Sequence, residues 1–314
     1  MESVLSISFN KNRTYVVQAQ YAPKGLHVTH IDVIRDPIDV STDAVVECEG
    51  AFALLQTLTE LPSKPHHVYI TLPTDVMMIH TMPAVPFTSA DEVRDMVTLE
   101  IIQHAPEKNL DDYAAEFYTL TPRLDGSEII VAVLTERTAI ERVQKLLTPA
   151  GLQLTSTIAR QFAAHASFRY NYPEWSTKAI AVFGITDNHI ETSVLNRGEL
   201  SYYNSVPFAH SGSISDICDS EIEKILSAYA PFLDGCFLYG DDVTKEILTA
   251  VQLRLAGLLP SIERLNGFRM TTTSLDSRHK EYCTRMAHVY VPGTGAVIPQ
   301  FHKPTYILDS AVGV

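Results

Sequence analysis

One pattern constrains this chain more than any other, because it occurs twice. Residues 4–9, 14–20 and 26–34 alternate apolar and polar side chains, the period of a half-covered strand. Asn10-Lys11-Asn12 and Pro23-Lys24-Gly25 supply turns between them. A helix over 51–61, closed by Pro62, and a buried strand over 67–72, ending at Pro73, complete the unit. The order returns further on. Residues 179–184 are strongly apolar, 190–195 alternate, and 200–208 pair back across Arg197-Gly198. A helix over 220–231 and a short buried strand over 236–239 follow.

Two copies of meander, helix and strand predict an α/β chain with the duplicated actin-like (ribonuclease H-like) fold. The stretch between the copies predicts further elements. Residues 76–82 read as a strand before Pro83 and Pro86. Thr88 or Ser89 is a helix N-cap candidate, with Asp91 and Glu92 in the first turn to complement the helix dipole. That helix runs to about His104 and stops before Pro106. Strands over 112–119 and 128–134 come next, then a helix from Thr135 or Thr138 to Leu147 with Gly151 as its C-terminal glycine. A long helix is expected over 243–259. Beyond Arg269 the pattern fades, and Val291-Pro292-Gly293-Thr294-Gly295 reads as a tight turn.

Composition removes several function classes. Apolar residues make up 46% and charged residues 19%, which sustains a core and argues against disorder. The net charge of −13 opposes nucleic-acid binding and adhesion to an anionic bilayer. Cys48, Cys218, Cys236 and Cys283 are scattered, as expected of reduced thiols in a cytosolic protein. The N-terminal residues show no signal-peptide character. No run approaches the roughly 18 apolar residues of a spanning helix. Residues 247–259 come nearest and are broken by Gln252 and Arg254.

The most specific stretch is Met82-Pro83, Asp91-Glu92-Val93, Met96-Val97, Glu100, Ala105-Pro106 and Asp112-Tyr113. Ile129-Ile130-Val131-Ala132-Val133, Ala150-Gly151-Leu152 and Glu221-Ile222-Glu223-Lys224-Ile225-Leu226 follow in coherent order. This series resembles the PilM family, cytoplasmic actin-like proteins of type IV pilus assembly, and their relatives in type II secretion. The resemblance covers about residues 1–268. It implies a first actin-like subdomain of 1–73 plus 150–170, an inserted small α+β subdomain of 74–149, and a second subdomain of 171–314. The second half is shortened, since only about a dozen residues separate Phe208 from Glu221.

The resemblance also implies two D-I-G phosphate loops and a glycine-rich adenosine loop. Aligned onto this chain, the first places Ser8 at the aspartate and Asn10 at the glycine, with Lys11 beside it. The second falls on Gly184, Ile185 and Thr186, and the third on Gly240 before Asp241-Asp242. Ser8 and Gly184 supply no carboxylate for Mg²⁺. Asn10 in a left-handed turn carries a cost, and β-branched Thr186 a greater one. The expectation is a pseudo-ATPase: no enzyme, no cofactor, degenerate nucleotide loops.

Other chemistry has bland readings. His27 and His30 lie three apart on one strand and so should face opposite ways. His66 and His67 diverge as neighbours; His279 and Cys283 have helical spacing but no third ligand, so no metal site is expected. Ser211-Gly212-Ser213 near His210 reads as a flexible turn, and Asp241-Asp242 as a solvated one. Glu92 and Glu100 share a helix face, and Met77, Met78, Met82 and Met96 cluster in the same segment. Each has a packing or solvation reading; Met82, Glu92, Met96 and Glu100 are also the candidate partner contacts.

The function the resemblance implies is a non-catalytic scaffold, peripheral to the inner membrane. It would bind the cytoplasmic peptide of a single-pass membrane partner and other assembly components, without nucleic acid or direct membrane insertion. Self-association stays open. The alternative is a divergent ATP-binding protein, using Lys11 and the Gly240 turn, whose partner binding is nucleotide-switched. A cell-division anchor would want a C-terminal amphipathic helix, and residues 306–312 are too short for one.

Overall fold

The computed structural model describes residues 2–23, 25–83, 90–104, 109–120, 129–210, 213–229, 232–298 and 306–308. Pro86, the N-cap candidates Thr88 and Ser89, Ala105-Pro106, Glu128, Ser211-Gly212, Pro231 and tail residues 309–312 lie outside them.

Strands β1 (Ser3–Phe9), β2 (Thr14–Ala22) and β3 (Gly25–Ile34) form the expected antiparallel meander. Helix α1 (Glu49–Thr59) crosses back, and β4 (His67–Leu72) joins β1 in parallel. An insertion follows: β5 (Met77–Pro83), α2 (Ala90–His104), β6 (Tyr113–Thr119) and β7 (Ile129–Glu136). Its strands form their own sheet, with β7 between β6 and β5. Then α3 (Arg137–Leu147) returns, β8 (Ser156–Ala159) extends the first sheet beside β4, and α4 (Arg160–Asn171) leaves it. Ala139, Ile140, Val143, Leu146 and Leu147 give α3 one apolar face, which joins Leu54 and Leu58 of α1 in the first core. Gly151, at φ +66°, ends the turn after α3 as expected.

The second half repeats the first. Strands β9 (Ala179–Thr186), β10 (His189–Asn196) and β11 (Glu199–Pro207) form a meander. Helix α5 (Ile214–Ala228) leads to β12 (Gly235–Tyr239), parallel to β9. Helix α6 (Lys245–Leu255) leads to β13 (Ile262–Arg264), parallel to β12. The two sheets therefore share one connectivity, β3-β2-β1-β4-β8 and β11-β10-β9-β12-β13. Helix α5 starts six residues before the expected 220, and α6 is shorter than 243–259.

The chain past Arg269 corrects the sequence reading most. It forms β14 (Thr272–Thr273), α7 (Ser277–Met286), α8 (Val291–Ala296) and β15 (Tyr306–Leu308). The expected tight turn at Val291–Gly295 is thus a fully buried helix. These elements, grouped from sequence with the second half, return elsewhere. β14 adds to β3, α8 packs on β1, β2 and β4, and β15 pairs with β6 of the insert.

Helices α4 and α8 cross-connect the halves. α4 follows the first sheet, yet Phe162 and Phe168 bury themselves with Ile180, Val182 and Phe237 of the second. α8 follows the second sheet and packs on the first. They meet at glycine: a Cβ on Gly295 would lie 1.7 Å from the Ala163 carbonyl oxygen. Ser167 and Thr294 hydroxyls hydrogen-bond across the contact at 2.9 Å.

Every side chain of β1 is buried, although the strand alternates. Leu5, Ile7 and Phe9 enter the core with α1 and α3. Ser6 and Ser8 face α8, where a Cβ on Gly293 would sit 3.2 and 3.4 Å from their oxygens. Ser6 Oγ donates to the Gly293 carbonyl at 2.7 Å. Small hydroxyls stand there because a helix backbone approaches closely. In β3, a bulge opposite Gln18 and Ala19 breaks the two-residue period. Val28 and Ile31 are both buried, and His27 and His30 fall on the same face, correcting the expectation.

Candidate functional site

The duplicated meanders point two hairpin turns at each other across the junction of the halves. The first turn, residues 10–13, is closed by Asn10 N–H donating to the Arg13 carbonyl at 2.9 Å. The second is Asp187-Asn188, flanked by the Thr186–His189 pair. Its residues have φ of 55° and 63°, the left-handed pair of a two-residue hairpin. The turns touch directly: Lys11 N–H donates to Asp187 Oδ1 at 2.8 Å.

Arg160, the first residue of α4, fills the space between them with its side chain 1% exposed. Its Nη1 donates to Asp187 Oδ2 at 2.7 Å and to Asn10 Oδ1 at 3.1 Å. Its Nε donates to Glu191 Oε2 at 3.3 Å, and Nη2 is buried without a partner. Asn10 Nδ2 passes the network to Asp241 Oδ2 at 3.2 Å. Burial alone would lower the pKa of the guanidinium. Glu191 and Asp187 reverse that and hold it more firmly charged than a free arginine.

The surroundings are acidic. Asp187, Glu191, Asp241 and Asp242 bring four carboxylates to one buried guanidinium. Burial raises Asp241 above the usual carboxylate range, partly offset by the Asn10 amide. Burial and then the charge of Asp241 raise Asp242. The expected solvated turn at 241–242 is thus half-buried and electrostatically coupled. A polyanion placed between these turns would add negative charge to an already acidic cluster.

The candidate loop residues have structural explanations. Ser8 is small because α8 lies against it. Gly184 lies within β9, not in a loop, and a Cβ there would sit 2.4 Å from the Tyr239 hydroxyl. That hydroxyl donates to Gln161 Oε1. Thr186 is an extended strand residue, so the expected left-handed strain is absent at that position. Asn10 is not left-handed either; Asp187, Asn188 and Arg197 are the described non-glycine residues with positive φ. Gly240, at φ +115°, presses on the end of β9, where a Cβ would lie 2.3 Å from the Ile185 carbonyl oxygen. Lys11 joins the site through its backbone, and its side chain is exposed.

Aligning the second loop on 184–186 thus stopped one residue short of the turn. The signal was present: Asp-Asn between two alternating strands marks a hairpin. A carboxylate does stand there, and Arg160 engages it. Arg160 itself carried a weaker signal, one charged residue opening a helix of small and aromatic side chains.

The partner-contact candidates separate. Met82 is 3% exposed and packs with Val97, Phe117 and Ala132 in the core of the insert, which corrects its reading as a surface contact. Met96 is half-buried against the same core. Glu92 is exposed on α2, and Glu100 lies 3.5 Å from His80. His279 is exposed and pairs with Asp276 at 2.9 Å, while Cys283 is buried.

Paired sheets of this connectivity, joined by crossed helices with hairpin turns at the junction, define the actin-like fold. Comparison with known proteins agrees. The structure matches a chain of the PilM-PilN type IV pilus biogenesis complex at TM-score 0.73 and 13% identity, covering 96% of this chain and 99% of that one. It also matches a Bacteroides thetaiotaomicron protein of actin-like ATPase fold and unknown function, at TM-score 0.52 and 10% identity, over 86% and 94% of the chains. The ethanolamine utilization protein EutJ of Carboxydothermus hydrogenoformans matches at TM-score 0.50 and 10% identity, over 95% and 90%. No family model and no curated protein matches the sequence. Among the described residues, no helix is long and apolar enough to cross a membrane.

Proposed function

We propose that this chain is a non-catalytic, cytoplasmic scaffold of a type IV pilus or type II secretion-like inner-membrane assembly. It binds the cytoplasmic peptide of a single-pass membrane partner and reaches the membrane through that partner. The observation that carries the non-catalytic half is Arg160. A buried guanidinium, neutralised by Asp187 and Glu191, lies between the two turns where the resemblance puts nucleotide phosphates. The pilus assignment draws support from the near-complete match to a chain of the PilM-PilN complex. An extended peptide gains main-chain hydrogen bonds and side-chain pockets in a groove of such a scaffold.

Two measurements test this. Thermal unfolding of the purified chain is expected to be unchanged by millimolar Mg-ATP. A ligand at 100 times its Kd would add about 2.7 kcal/mol, and such a shift would overturn the non-catalytic reading in favour of a nucleotide-switched one. Calorimetric titration with cytoplasmic peptides of single-pass proteins encoded beside this chain should find one micromolar or tighter binder. Failure of all of them would remove the scaffold assignment.

A further inference from the structure

The far end of α4 holds a feature that the Arg160 cluster does not explain. Arg160 starts the helix at the two hairpin turns; Arg169 lies near its other end. The β10–β11 turn, Arg197-Gly198, likewise lies at the opposite end of β10 from Asp187-Asn188. Between them opens a cavity of about 350 Å³, within the size range of small-molecule sites.

Its walls combine an aromatic floor with a cationic rim. Phe168 and Tyr172 stack at 5.3 Å, and Trp175 meets Phe237 edge-on at 5.1 Å. Arg169, Lys178 and Arg197 line the rim with a single carboxylate, Glu199. Lys178 Nζ sits 4.0 Å over the Trp175 ring. Arg169 Nε is buried without a hydrogen-bond partner. Burial lowers the Arg169 pKa, and Glu199 only partly restores it. Among the described residues, none of the three cations forms an ion pair with a carboxylate. In a chain of net charge −13, three unpaired cations around one cavity are a local reversal of sign. Arg197 also holds a left-handed conformation at φ 51°, where asparagine or glycine would be less strained.

We propose that this cavity binds a small molecule bearing a phosphate or carboxylate on an apolar body. The anion is held by Arg169, Lys178 and Arg197, and the body lies on Phe168 and Trp175. The aromatic floor supplies burial, and the rim supplies charge-assisted hydrogen bonds that the unpaired Arg169 lacks. The site is independent of the scaffold reading.

The chain carries its own reporter, since Trp175 is its one tryptophan. The experiment titrates the full chain with phenyl phosphate, benzoate, inorganic phosphate and phenol while following Trp175 fluorescence. A saturable change is expected with phenyl phosphate or benzoate, and the tighter of the two identifies the anion. Phenol and inorganic phosphate, each lacking half of the ligand, should bind at least about tenfold more weakly. Arg169→Met and Arg197→Ala should each weaken binding roughly tenfold or more, the loss of a charge-assisted contact. Arg197 is exposed on a turn, so its variant keeps the fold even if Arg169→Met does not. No saturable change below about 10 mM for either aromatic anion would overturn the proposal, as would unchanged affinity in the Arg197→Ala chain.

Discussion

Arg160 and Asp187 are joined by a 2.7 Å ion pair whose two side chains are 1% and 4% exposed, and they come from opposite halves of a duplicated fold. The pair therefore locks the two hairpin turns in one relative position. Buried pairs are poor net stabilisers, but breaking one strands its partners.

Replacing Arg160 by methionine should be costly for that reason. Asp187 and Glu191 would remain buried without their cation, a loss of about 3–5 kcal/mol. At roughly 2 °C per kcal/mol for a chain of this size, the melting temperature should fall by about 6–10 °C. The triple variant Arg160→Met, Asp187→Asn, Glu191→Gln should recover most of it. Calorimetric melting of both variants checks the expectation; equal Tm values for wild type and Arg160→Met would show that the pair does not hold the junction.

The α4–α8 contact predicts an intolerant glycine. In Gly295→Ala the new methyl would overlap the Ala163 carbonyl, so the helices must separate. The cost should be about 1–3 kcal/mol or more, read as a lower urea midpoint. Gly257, whose Cβ would meet no atom within 4 Å, serves as the control substitution.

Restoring an acid at Gly184 should fail as a gain of function. A Cβ there meets the Tyr239 hydroxyl, so Gly184→Asp is expected to unfold the second half rather than bind Mg²⁺. Loss of cooperative melting is the expected result. A well-folded variant that binds Mg-ATP would contradict the packing account of Gly184.

Acid sensitivity should come in two stages. Burial lowers His288 from 6.5 to about 4, with the charge of Arg264 adding to the effect. Between those values the unfolded chain binds the extra proton, so stability is lost as pH falls from about 6.5 towards 4, by roughly 3 kcal/mol at most. Glu221 opposes its burial with hydrogen bonds from Lys224, Tyr202 and Asn204, and its pKa is lowered. Its contribution is present above the ordinary glutamate value and fades below it. His288→Asn should flatten the first stage and Glu221→Gln the second, as followed by urea unfolding across pH. A first stage that survives in His288→Asn would assign it to another group.

Much of the architecture was legible because it is local. Period-two alternation marked both meanders, and the helices between them showed through proline stops and apolar spacing. The failures were also local in origin. Val291 to Gly295 contains one proline and two glycines and so reads as a turn, yet α8 needs those glycines to approach β1 and α4. Ser6 and Ser8 are the polar half of the alternation in β1 and are buried for the same reason.

The site was legible in its pieces and not as a cluster. The sequence alone determined that neither Ser8 nor Gly184 carries a carboxylate, because residue type is chemistry before any folding. It also determined the repeat, because alternation and turn residues act over a few neighbours. Only the tertiary structure decided which side chains join the two hairpin turns. Arg160 meets Asn10 across 150 residues and Asp187 across 27, and no local pattern encodes those separations. Burial then decided their energetics: a guanidinium and two carboxylates, unremarkable in water, become a lock once solvent is excluded and each must find its counterpart.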